Sequence, residues 1–70
     1  MTVSEFIKTR LKELNMTQND LANQLGITKQ NLNNKLSRDN FSSKELCEIA
    51  DVLKTEIIMK TEKEEIPIKY

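Results

Sequence analysis

Seventy residues are enough for one small domain, and eleven basic against eleven acidic side chains leave no net charge to draw it toward nucleic acid or an anionic surface. The absence of His and the single Cys47 exclude His-based metal or acid–base chemistry, a Cys-rich metal site and an internal disulfide. Carboxylate neighbours such as Glu64–Glu65 have no catalytic set around them, so the expectation is a non-enzyme with no cofactor and no metal.

The first predicted helix opens on Thr2-Val-Ser-Glu5, a capping box in which a hydroxyl and a carboxylate three residues apart satisfy each other's backbone N–H groups. Val3, Phe6, Ile7, Leu11 and Leu14 give its apolar stripe, and Asn15 follows where a left-handed residue ends a helix. Thr17 caps the second helix with Asp20 as a weaker box partner, and Leu21, Ala22 and Leu25 form its buried side. Gly26, the only glycine, terminates it. Thr28 caps the third, which carries Leu32 and Leu36. Ser42 and Glu45 form another box ahead of Leu46, Ile49, Ala50 and Leu53 in the fourth. Each capping hydroxyl contributes about 1 kcal/mol. Phe41, just before the Ser42 cap, reads as a hydrophobic staple or core plug, and Cys47 as a half-buried small hydrophobe.

Beyond Leu53 the pattern changes. Ile57, Ile58 and Met59 form a short apolar run rich in β-branched residues, which predicts a strand near 55–61 with the last ten residues mobile. Pro67 restricts the last piece to an edge strand or coil, and a fifth helix is the alternative. The division is a domain over 1–54 and an extended segment over 55–70, whose edge strand would serve self-association or cover its own core. MTVSEFIK lacks the basic and apolar regions of a signal peptide, and no apolar run approaches the roughly 20 residues that span a membrane, so a cytoplasmic protein without membrane contact is expected.

Charge and amides are unevenly placed. Residues 1–41 hold six basic and four acidic side chains, residues 42–70 five and seven. Positions 28–38 contain Lys29, Lys35 and Arg38 and no acid. Gln30, Asn31, Asn33 and Asn34 crowd into the same segment, although helix surfaces ordinarily favour Glu and Lys over Asn. Buried amides without partners are costly, whereas amides facing base edges both donate and accept.

The spacing Gln18, Ala22, Gly26, Leu32 fits two helices crossing closely around a sharp turn. MTQNDLANQLGITKQNLNNKLSRDNFS resembles the lambda-repressor-like family, also called the XRE or Cro-type helix-turn-helix family, through TQ..LA..LGI....L; the likeness covers about residues 3–54. It implies an all-α compact bundle of four or five helices, its third helix in the DNA major groove, here followed by a short strand or extended tail. It also implies a bacterial or phage transcription regulator, repressor or antitoxin that binds duplex DNA as a homodimer.

Carried over by position, the resemblance assigns Lys29, Gln30, Asn31, Asn33 and Asn34 to base edges. Gln18, Thr28, Lys35, Ser37, Arg38 and Asn40 would meet the DNA backbone. Some relatives pair an Arg in the first helix with a Glu in the third; Leu11 and Leu36 stand here, so an apolar contact would replace the pair and leave Arg10 free for phosphate or packed along its stem. The rival reading is a protein-interaction module or antitoxin on the same scaffold, favoured by the neutral net charge.

Overall fold

A computed structural model describes residues 1–70. The helices are α1 (Val3–Glu13), α2 (Gln18–Leu25), α3 (Lys29–Arg38) and α4 (Ser43–Val52), followed by strands β1 (Ile57–Lys60) and β2 (Glu65–Ile68). Four caps act as expected. Thr2, Thr17 and Ser42 each accept from the N–H three residues on, with Glu5, Asp20 and Glu45 closing full capping boxes, while Thr28 accepts from the Asn31 N–H.

The helices also share one way of ending. Asn15 and Gly26 are left-handed, as their sequence positions predict, and so are Asp39 and Lys54, for which the sequence carries no such expectation. After each left-handed residue the next N–H folds back onto the helix: Met16 to the Leu11 carbonyl, Ile27 to Ala22, Asn40 to Lys35 and Thr55 to Ala50. A Cβ on Gly26 would meet nothing within 4 Å, so this glycine serves its φ of 73° rather than a close approach.

The core is one cluster: Ile7 and Leu11 from α1, Leu21 and Ala22 from α2, Leu32 and Leu36 from α3, and Ile49 and Leu53 from the end of the chain's helical part. Leu11 and Leu36 are both in it. Leu14, Met16, Leu25, Ile27, Phe41 and Val52 pack around it half-buried. Val3 and Phe6 depart from expectation, remaining 40% and 42% exposed although they continue the α1 stripe.

Ser4 supplies a contact that no local pattern announces. Its N–H donates to Asp39 Oδ1 at 2.8 Å, and its buried hydroxyl lies 2.8 Å from both the Leu36 carbonyl and Asp39 Oδ1. The end of α3 therefore caps the start of α1, a carboxylate meeting an orphan N–H where the helix dipole favours it. Arg10 also reaches from α1 to another element. Its Nε donates to the Leu53 carbonyl at 3.0 Å, and its guanidinium meets Glu13 at 3.3 Å, so it closes the end of α4 instead of standing free for phosphate.

The tail is also corrected: residues 65–68 are not mobile coil but the second strand of an antiparallel hairpin, with Ile57, Ile58, Met59 and Lys60 opposite Ile68, Pro67, Ile66 and Glu65. Thr61 makes the turn, its hydroxyl accepting from the Lys63 and Glu64 N–H groups. Pro67 sits on an edge, the one strand position it tolerates. The hairpin returns to α4, where the Cys47 thiol lies 4.0 Å from the Ile68 carbonyl. The fold is thus mostly helical with a two-stranded sheet, and none of its helices is long and apolar enough to cross a membrane.

Candidate nucleic-acid interface

Leu32 and Leu36 are buried and fix the azimuth of α3. At about 100° per residue, Gln30 and Asn34 lie opposite that stripe, with Ser37 and Arg38 beside them. All four are exposed, as are Lys29, Asn31 and Asn33. The amides thus share an outward surface, but not equally. Asn31 and Asn33 fall on opposite flanks, so a ligand centred on Gln30 and Asn34 meets one flank or the other at its margins. Gln30 Nε2 donates to Asn34 Oδ1 at 3.4 Å, a weak restraint holding the two central amides near each other.

The flank that carries Asn31 continues past the helix. Asn31, Asn34, Lys35, Arg38 and Asn40 line a shallow depression with no apolar wall. The Asn40 N–H is tied to the Lys35 carbonyl at 3.2 Å, which fixes the loop against the last turn of α3. At the other end, the Thr28 hydroxyl accepts from the Asn31 N–H at 3.0 Å and keeps its own proton for a further acceptor. Gln18 opens α2 and is half-buried.

Lys35, expected at the DNA backbone, has a partner within the chain. Its ammonium is ion-paired with Glu45 of α4, and both side chains are about three-tenths exposed. Glu45 also accepts from the Ser42 N–H at 2.9 Å. The Lys35 ammonium, then the Ser42 backbone and hydroxyl, hold the Glu45 carboxyl down at about 2, well below its ordinary value. Lys35 therefore lines the polar depression with its charge already answered. Lys29 and Arg38 have no ion-pair partner. Glu45 reads from sequence only as a capping residue; its second partner lies ten positions away on another helix, and no spacing rule points to it.

A hydroxyl-capped helix start, a row of amides and two free cations can together donate to and accept from a polar, anionic surface. Nothing in this set supplies a nucleophile with a base. No curated protein and no solved structure matches the chain. One family description, Domain of unknown function (DUF6471), matches residues 1–58, taking in all four helices and the first half of the hairpin's leading strand. The chain belongs to the DUF6471 family.

Proposed function

We propose that α2, the turn over 26–28 and α3 act as a helix-turn-helix of the lambda-repressor-like type, and that the chain is a transcription regulator, a repressor binding duplex DNA sequence-specifically. The observation that carries this reading is the outward face of α3: Gln30 and Asn34 at its centre, Asn31 and Asn33 on its flanks, and no acid along the helix. Asn and Gln match the paired donor and acceptor that adenine presents in the major groove, while Lys29 can donate to guanine. Thr28, Gln18, Ser37, Arg38 and Asn40 would make the phosphate contacts that set register without reading sequence.

Selection from random duplexes, followed by a salt series on the recovered site, tests the proposal. An enriched sequence bound with steep salt dependence supports it. No enrichment together with a flat salt response removes it. The Lys35–Glu45 pair favours one alternative, a protein partner seated on the amide face as in an antitoxin, because it leaves α3 with only two uncompensated cations.

A further inference from the structure

The two strands make the whole sheet, so each has one edge with no strand beside it. These edges are not equivalent. At the closed end the Thr61 N–H donates to the Glu64 carbonyl at 2.9 Å, so the backbone groups of this pair face inward. Alternation along the register then turns the groups of Ile57, Met59, Ile66 and Ile68 inward, and those of Ile58, Lys60, Glu65 and Pro67 outward. Pro67 has no N–H, so the outer edge of β2 lacks its central donor. The outer edge of β1, continued by Glu56, keeps every donor and acceptor, and Glu56, Ile58 and Lys60 are all exposed.

We propose that the outer edge of β1 is an interface for a second copy of this chain, paired antiparallel about a two-fold axis at Ile58. Charge selects both the occupant and the register. With Ile58 opposite Ile58 of the second copy, Glu56 faces Lys60 and Lys60 faces Glu56, and the outward backbone groups coincide as hydrogen-bonded pairs. On the other face Ile57 lies beside Met59. A slip of two residues in one direction would set Lys60 against Lys54, and in the other Glu56 against Glu62. The segment is self-complementary in a single register. On the Ile57 face Met59, Ile66 and Ile68 are 65%, 43% and 37% exposed, and on the opposite face Ile58 is 45% exposed, more apolar surface than a free hairpin tip calls for; pairing extends the Ile57–Met59 strip across both copies. This interface does not depend on the DNA reading.

The test uses the full chain without DNA, by sedimentation up to about 1 mM protein. Wild type is expected to associate as a dimer. Glu56→Lys alone and Lys60→Glu alone each turn both cross-copy pairs into like charges and should weaken association by about tenfold or more. Glu56→Lys leaves the internal Lys60–Glu65 bridge intact, so its effect does not come from loss of the hairpin. An equal mixture of the two variants restores opposite charges at every pair, and should associate about as tightly as wild type. Circular dichroism of each variant shows that the helices persist. A wild type that stays monomeric, association unaltered by Glu56→Lys, or a mixture no tighter than its components would each overturn the proposal.

Discussion

Replacing Ser4 with Ala removes one hydroxyl from the junction of α1 and α3 and leaves the Ser4 N–H bond to Asp39 in place. The Leu36 carbonyl loses one of two donors and keeps the Asp39 N–H at 3.3 Å. A net loss of about 1–1.5 kcal/mol follows for one buried bond without a fully orphaned partner. Asp39→Ala goes further, because it strips the acceptor from both the N–H and the hydroxyl of Ser4. A charge-assisted contact is worth about 1.5–3 kcal/mol, and Ala is also less at ease than Asp in the left-handed conformation. Asp39→Asn retains an acceptor and tolerates that backbone, so it falls between wild type and Asp39→Ala. For a domain whose whole stability is about 4–10 kcal/mol these are large fractions, each kcal/mol lowering Tm by about 4–8 °C. Urea denaturation followed by far-ultraviolet circular dichroism gives the differences, and a double-mutant cycle gives their coupling. Ser4→Ala within about 0.5 kcal/mol of wild type, or Asp39→Ala no worse than Ser4→Ala, would refute the tertiary cap.

Glu45 sets an acid response. Its folded-state pKa is depressed from 4.5 to about 2, so its contribution is present above the ordinary carboxylate range and is lost as pH falls from about 4.5 toward 2; Glu45→Gln should flatten that part of a stability–pH curve. The same substitution releases Lys35, and should steepen the log–log salt slope of DNA binding by about 0.9 per protomer if the ammonium then meets a phosphate. Gly26→Ala should lose about 1 kcal/mol to backbone strain alone, and Lys54→Gly, which relieves a φ of 56°, should gain about 0.5–1 kcal/mol in the same melts.

The helices were legible because each start carries its own local chemistry: a hydroxyl, in three of the four an acid three residues on, then an apolar stripe. Asn15 and Gly26 could be read as ends for the same reason, while Asp39 and Lys54 could not: Asp tolerates a left-handed backbone but marks helix starts and turns as readily as ends, and Lys announces no such backbone. Val3 and Phe6 follow the α1 stripe in sequence, but that stripe is wider than the surface its neighbours cover. The second strand was hidden by the acids of residues 62–65 and by Pro67. Thr61 followed by Glu64 also mimics a helix cap, and the hydroxyl does accept from the Glu64 N–H, only in a turn. Ser4–Asp39, Arg10–Leu53 and Lys35–Glu45 join residues on separate elements, which no periodicity encodes. The exposed face of α3 was legible, since Leu32 and Leu36 alone orient the helix; the neutralisation of Lys35 at its border was not.

The central claim, that the outer face of α3 reads base edges, is tested most directly by binding of wild type and Gln30→Ala to a selected duplex and to random duplex, with Leu32→Ala as a control for loss of fold. Gln30 is exposed, so its truncation should leave the melt unchanged, weaken the selected site by about 1–3 kcal/mol and barely affect random DNA. Leu32→Ala should instead lose about 2–5 kcal/mol of stability, because the residue is fully buried in the core. Equal weakening of both duplexes by Gln30→Ala, or binding to the selected site indistinguishable from wild type, would contradict direct readout by this helix.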